Sequence, residues 1–261
     1  MSAGSDGRGA AMPEALHAAL PALFISDLHL SEDHPETVAA FLGFIEGPAR
    51  EAGSLFILGD LFEYWAGDDD IDAPFNRDMC AALRALSDSG VQLFYMTGNR
   101  DLLAGDDFAR ITGMQLLPDP SLLALGSQHI LLSHGDALCT DDLSYQAYRS
   151  QVRDPAWQTG FLSQPLAARK AFIESLRKQS EAAKQDKAMT IMDVNAEAVE
   201  AILRQYGHPA LIHGHTHRPA RHLHHVDGHE CVRWVLSDWH DHATWLSFDG
   251  RQFKTADQTQ A

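Results

Sequence analysis

The chain has 261 residues, 45% of them hydrophobic, which suffices for one large domain or two small ones with a sizeable core. Twenty Lys and Arg against 36 Asp and Glu leave a formal charge of −16. That balance argues against nucleic-acid binding but not against phosphate substrates, because bound cations reverse the local sign.

The three cysteines, Cys80, Cys139 and Cys231, form no C-x-x-C pair. Neither a disulfide framework nor a four-cysteine zinc site is expected, and the chain reads as cytoplasmic. Residues 1–21 lack a basic stretch followed by an apolar one, so they read as a loose tail and not as a signal peptide. No run approaches the roughly eighteen apolar residues of a membrane span.

From residue 22 onward, short apolar runs alternate with helical spacing. "ALFIS" (22–26) predicts a buried strand, and Val38, Phe41, Leu42 and Ile45 a helix after it. "SLFILG" (54–59) is a second strand, followed by a helix carrying Phe75, Met79, Leu83 and Leu86. "VQLFYMT" (91–97) and "HILLS" (129–133) continue the series. This alternation predicts an α/β layered fold with a partly parallel sheet.

Residues 149–190 break the rhythm. They are strongly helical, with Leu162, Leu166, Ile173 and Leu176 near one face. Between 149 and 187, eight basic residues face four acidic ones, a local +4 in an acidic chain. The segment reads as an inserted helical cap, leaving 22–148 and 191–255 as the core. "ALIH" (210–213) resumes the strands, Asp227-Gly228 signals a hairpin turn, and "ATWLSFDG" (243–250) ends the series.

Metal-ligand residue types stand just beyond the strands, where open α/β sheets place their ligand sites. Asp27 and His29 follow the first strand, Asp60 the second, Asn99 and Arg100 the third, and His134 the fourth. "LIHGHTHRPA" (211–220) supplies His213 and His215. In an extended chain, Asp27-x-His29 and His213-x-His215 each point both side chains the same way. Any one of these is commonly a turn former or a cap; five in order at strand ends point to a site. Nitrogen and oxygen donors without thiolate suit Mn²⁺, Fe²⁺, Co²⁺ or Zn²⁺.

The ordered set D-x-H … GD … GN … H … GH-x-H resembles the calcineurin-like metallophosphoesterase superfamily over about residues 22–220. The resemblance implies a four-layer β-sandwich flanked by helices, more mixed in strand order than a simple doubly wound sheet. It also implies two divalent ions with a bridging hydroxide as nucleophile. Carried over by position, Asp27, His29, Asp60 and His215 would hold one ion. Asp60, Asn99, His134 and His213 would hold the other.

Where most of that superfamily has Gly-Asn-His, this chain has Gly98-Asn99-Arg100. Arginine stays protonated and cannot donate a proton to a leaving group. A phosphate leaving from a diphosphate needs fixed positive charge instead, which a guanidinium supplies. Asp60, Asn99 and Arg100 are therefore the expected catalytic set, and diphosphate cleavage is favoured over monoester hydrolysis. The bland alternative is that Arg100 merely pairs with Asp101.

The text around these motifs, including "GDLFEYWAGDDD", "GNRDLLAGDDFA" and "SHGDALCTDDLSYQAYR", is similar to the branch of the superfamily that acts on UDP-2,3-diacylglucosamine. That branch serves lipid A formation in Gram-negative bacteria. The resemblance implies Mn²⁺ as the metal and attack at the α-phosphorus; a monomer, peripheral on the inner-membrane surface, is the expectation beside it. It implies substrate contacts from Asn99, Arg100, Asp142, Tyr145, Ser180, Lys184, Lys187 and His213. The cap would shelter two acyl chains with Phe161, Leu162, Leu166, Phe172, Ile173, Leu176, Met189 and Met192, although for any one of these ordinary helix packing is the commoner explanation. Its basic surface fits anionic lipid or a solvated face alike.

Other features read as structural. Asp68, Asp69, Asp70 and Asp72 look like a solvated loop or outer partners of the site, and His222, His224, His225 and His229 flank the hairpin turn facing water. Asp101 and Asp136 are placed to orient the arginine and histidine beside them. The rival readings are another phosphoesterase activity, disfavoured by the missing histidine, and a silent scaffold, disfavoured by seven intact ligands.

Overall fold

The computed structural model describes residues 14–186, 193–240 and 242–258; of 179–186 it describes the backbone alone. The elements run β1 (Leu16–His17), β2 (Ala22–Ile25), α1 (Pro35–Glu46), β3 (Ser54–Leu58), α2 (Pro74–Asp88), β4 (Gln92–Met96), α3 (Asp106–Thr112), β5 (Met114–Leu117), β6 (Ser121–Leu125) and β7 (Gln128–Leu132). They continue with α4 (Leu143–Val152), α5 (Pro155–Leu162), α6 (Leu166–Asp186), α7 (Ala196–Gln205), β8 (Ala210–His213), β9 (Ala220–Val226), β10 (His229–Val235), β11 (Thr244–Phe248) and β12 (Phe253–Asp257).

Two six-stranded sheets result, ordered β1-β6-β7-β8-β10-β9 and β12-β11-β2-β3-β4-β5. In the second sheet β2, β3, β4 and β5 are parallel and β11 joins β2 antiparallel. The apolar runs that predicted strands are buried on both faces, and alternation sorts them into two cores. Leu23, Ile25, Leu55, Ile57, Leu93 and Tyr95 face one core, which includes Phe41, Phe44, Met79 and Leu83 of α1 and α2. Phe24, Phe56, Leu58, Phe94 and Met96 face the other sheet, where Ile130, Leu132 and Ile212 meet them.

Equal register puts Phe24, Phe56 and Phe94 side by side between the sheets, with ring centroids 5.0 and 4.7 Å apart. On the far side of the first sheet, Leu131 and Leu211 pack on Val199 and Leu203 of α7. Helices, sheet, sheet and helix make four layers, the sandwich that the resemblance implied and not a doubly wound sheet. The hairpin at Asp227-Gly228 also forms, with φ of 51° and 83° and His229 paired to Val226.

The tail expected over 1–21 needs correction where the structure describes it. Leu16 and His17 pair in parallel with Leu123 and Ala124 of β6. An apolar edge strand recruits this short segment, Leu16 packs on the inter-sheet core, and Ala19 donates from its backbone N to Gln92 Oε1 at 2.8 Å. The helical departure begins at α4, before residue 149, because Asp142 Oδ1 accepts from the Tyr145 N–H at 3.0 Å and starts that helix.

The acidic loop after β3 fastens the inserted helices to the core. Lys170 meets Asp70 at 2.7 Å, and the buried Arg169 reaches the Ala66 carbonyl and Asp69. Asp68 accepts from the backbone N–H groups of Gly105 and Phe108 at the start of α3, each at 3.0 Å. Among the described residues no group of metal-ligand side chains forms in this loop. No helix among them is long and apolar enough to cross a membrane.

Candidate metal centre and its cavity

The strands of both sheets end at one edge of the sandwich, and the loops leaving them carry the polar side chains. Two groups converge there, each with its ligand atoms within 4.8 Å of one another. Asp27, His29 and His217 form the first, and Asp60, His134 and His215 the second. Asn99 joins the second, its Oδ1 3.2 Å from His134 Nε2.

The backbone at these positions is unusual. Asp27, His29, Asp60, His215 and His217 all take positive φ, between 51° and 67°. Such conformations cost a non-glycine residue on the order of 1–3 kcal/mol each and cluster where function requires them. The extended alternation expected for Asp27-x-His29 is therefore not what aims these side chains; left-handed turns do. Gly98 and Gly214 let the loops close, since a Cβ on Gly98 would run into the Asp60 carboxylate and one on Gly214 into that of Asp27.

The histidine assignment is corrected by one step. His213 ends β8, so strand alternation keeps it on the side of Leu211 and away from the cluster. Its Nδ1 donates to the Gly214 carbonyl at 2.8 Å, and its Nε2 accepts from Arg233 Nη1 at 3.0 Å. Burial and the neighbouring guanidinium push its pKa down to about 3, leaving both nitrogens engaged. Both ring nitrogens thus have partners within the protein, and His213 stands in neither group. His215 belongs with Asp60 and His134 rather than with Asp27, and His217, not singled out from the sequence, completes the first group. The signal lay in the Gly-His-x-His pattern itself, read from Gly214 as His215 and His217.

The donor set fits divalent cations on its own geometry. His217 Nδ1 lies 3.0 Å from Asp238, His29 Nδ1 3.0 Å from Glu63, and His134 Nδ1 2.8 Å from the Leu58 carbonyl. Each contact sets an oxygen beside Nδ1 and leaves Nε2 to the donor group, the arrangement of metal-binding imidazoles. The Nε2 atoms of His29 and His217 face each other at 3.4 Å, a poor contact unless a cation or proton lies between them. Asp27 Oδ2 accepts from Ser26 Oγ at 2.6 Å and from the His215 N–H at 2.8 Å, whereas its Oδ1 is buried without a hydrogen-bond partner.

The electrostatics agree. Burial opposes charge on His134, yet Asp60, Asp27 and Asp136 raise its pKa to about 9. Burial likewise opposes charge on His217, but Asp238 and Asp27 raise it to about 10. The carboxylates thus call for positive charge that two cations would supply in place of protons.

Arg100 stands at the rim. Its backbone N–H donates to Asp60 Oδ1 at 2.8 Å, and its Nη1 lies 3.3 Å from Glu63 Oε1. Pairing with Asp101 is not what the structure shows. Asp101 is fully buried and gathers the backbone N–H groups of Asp60, Leu61, Phe62 and Gly98, fixing the loops rather than the guanidinium. Asp136 accepts from Tyr145 Oη at 3.0 Å and from Arg149 Nε at 2.9 Å; His134 is oriented by Leu58 instead.

A cavity of about 1200 Å³ opens from both groups to the inserted helices. Its polar end holds His29, Asp60, Asn99, Arg100, Asp142 and Tyr145; its apolar end is lined by Trp157, Phe161, Phe172, Ile173 and Leu176. Trp157, absent from the expected set, stacks on Phe161 at 4.9 Å. Leu162 and Leu166 are not in the lining, and Leu162 is 41% exposed. Lys187, Met189 and Met192 lie outside the described residues, as do the side chains of Ser180 and Lys184. His222, His225 and His229 are exposed as expected, whereas His224 accepts from Arg233 at 3.1 Å.

The family profile for calcineurin-like phosphoesterase matches residues 20–219. A UDP-2,3-diacylglucosamine hydrolase of Aromatoleum aromaticum is 59% identical over 88% of this chain and 94% of its own length. Enzymes of the same name from Stenotrophomonas maltophilia and Chromohalobacter salexigens are 48% and 49% identical, over 87% and 85% of this chain and 94% and 90% of theirs.

Proposed function

The chain belongs to the calcineurin-like phosphoesterase family, and from that membership we propose that it hydrolyses the diphosphate of UDP-2,3-diacylglucosamine to UMP and 2,3-diacylglucosamine 1-phosphate. The single observation that carries the substrate class is one cavity lined by side chains of two candidate metal-ligand groups, by Arg100 and by an apolar cluster. Phosphomonoesters need only the polar end. A volume of about 1200 Å³ exceeds the roughly 300–1,000 Å³ of ordinary small-molecule sites. Each acyl methylene sheltered there contributes about 0.8 kcal/mol.

Asp27, His29 and His217 would hold one cation and Asn99, His134 and His215 the other, with Asp60 shared between them. When bound, the cations activate water as the nucleophile and neutralise phosphoryl charge. Donors of nitrogen and oxygen without thiolate suit Mn²⁺. The protein's own residues supply the rest. Arg100 offers fixed positive charge to the departing phosphate, which needs no proton. Trp157, Phe161 and Phe172 exclude water from the acyl chains. Asp142 and Tyr145 of the polar end would meet the sugar. Exposed Leu143, Leu162 and Phe172 on the inserted helices support peripheral contact with the membrane that carries the lipid.

The direct test is hydrolysis of UDP-2,3-diacylglucosamine in ¹⁸O-labelled water, with Mn²⁺ or with chelator. Mn²⁺-dependent release of labelled UMP is expected, which places attack at the α-phosphorus. Label in the sugar phosphate would reverse the point of attack, and no turnover of the lipid would overturn the substrate.

Arg100→His isolates the leaving-group argument. Loss of one transition-state donor typically lowers kcat by about 10²–10³. The variant is expected to lose activity on the diphosphate within that range, and an unchanged rate would sink the role given to Arg100.

A further inference from the structure

Glu63 follows Asp60 by three residues and is buried between three parts of the fold. Its backbone N–H donates to the Leu30 carbonyl at 3.1 Å, which pins the loop after β3 to the loop after β2. Its two carboxylate oxygens face different partners. Oε2 lies 3.0 Å from His29 Nδ1. Oε1 lies 3.0 Å from Arg177 Nε and 3.3 Å from Arg100 Nη1. One side chain therefore touches a residue of the first donor group, the guanidinium at the rim, and helix α6.

Each contact has a physical consequence. A carboxylate 3.0 Å from Nδ1 favours the Nδ1–H tautomer electrostatically, which leaves the Nε2 lone pair of His29 for the donor group. At the other oxygen two guanidinium groups converge, an arrangement that like-charge repulsion would open without an anion between them. Arg177 is steadied further by the Tyr64 ring, 5.8 Å from its guanidinium carbon. Both arginines line the large cavity, so an entering phosphate meets two cations already gathered.

We infer that Glu63 is a positioning residue that makes the first metal group and the Arg100–Arg177 pair interdependent, so that α6 acts on the metal centre through one carboxylate. The inference rests on the two-cation reading given above. Glu63→Gln keeps the size but removes the charge, and its amide can accept from His29 or from the arginines only by turning an NH₂ toward the other. Asp at this position keeps the charge but is one methylene too short to reach both.

The test is calorimetric titration of metal-free protein with Mn²⁺ alone, without substrate, beside a KM and kcat comparison. Loss of an outer partner of a metal-binding histidine typically costs about 10–100-fold in metal affinity. Glu63→Gln is expected to weaken one of two Mn²⁺ binding events by that factor, leave the other unchanged, and raise KM. Glu63→Asp is expected to fall between Gln and wild type. Arg177→Met is expected to raise KM while both Mn²⁺ events stay at wild-type affinity. A Glu63→Gln protein that folds and binds two Mn²⁺ as wild type does would overturn the inference. Wild-type protein that takes up no Mn²⁺ would instead overturn the two-cation reading on which it rests.

Discussion

Asp60→Ala is expected to lower kcat by on the order of a thousandfold or more, because in the proposed two-cation centre its carboxylate is the ligand that both ions would share. Its side chain is nearly inaccessible, and its Oδ2 lies 3.8 Å from His134 Nε2. The same substitution strips the Arg100 N–H of its acceptor at 2.8 Å, and an unsatisfied buried donor costs about 1–3 kcal/mol. Loss of activity in Asp60→Ala alone would therefore mix chemistry with loop disorder. Asp60→Asn separates them, since its amide oxygen still accepts from Arg100 while the charge and the second strong ligand atom are gone. Both variants should be inactive, only the alanine should melt early, and both should retain less Mn²⁺ by elemental analysis. Wild-type turnover in Asp60→Asn would remove the basis for a shared carboxylate.

Much of this centre was legible because its residues obey a local rule. Strand ends of the two facing sheets converge on one edge of the sandwich, so Asp27, Asp60, Asn99 and His134 announce themselves by following apolar runs. The burial of whole strands was legible for the same reason: runs such as Ser54–Leu58 carry apolar side chains on both faces. Two things were not. Residues 14–21 contain no strand-length pattern, and Leu16–His17 form a strand only because β6 lies beside them. Spacing in the histidine run was misleading, because the argument from alternation assumes an extended chain. Here His215 and His217 leave the strand on left-handed backbone, with φ of 67° and 52°, and alternation does not apply past His213.

Outer partners were the least legible of all. Glu63 reads as one more acid in a turn, and nothing local says that His29, Arg100 and Arg177, from three separate elements, meet its carboxylate. Asp101, by contrast, looked like a partner for its neighbour Arg100 and instead collects the backbone N–H groups of two loops. Adjacency in sequence favours side-chain pairing only when the backbone has no stronger claim, and an N–H left buried without an acceptor is such a claim.

His217→Ala and His213→Ala, measured together, decide which histidines hold metal. His217 has Nδ1 on Asp238 at 3.0 Å and Nε2 turned toward His29 and Asp27 at 3.4 and 3.5 Å, so its removal takes a ligand from the first group. The loss should exceed the roughly 10–100-fold typical of outer partners, and Mn²⁺ stoichiometry should fall from two toward one. His213 is wholly buried, and its removal strands the Arg233 guanidinium, itself only 7% exposed, without one of its acceptors. That variant should lose about 1–3 kcal/mol of stability in denaturant titration while keeping two Mn²⁺ and most of its turnover when folded. The opposite pattern, metal lost from His213→Ala and kept in His217→Ala, would restore the assignment that the family resemblance first implied. Arg233 makes the contrast sharp, because a guanidinium donating to His213 Nε2 competes directly with any cation for that lone pair.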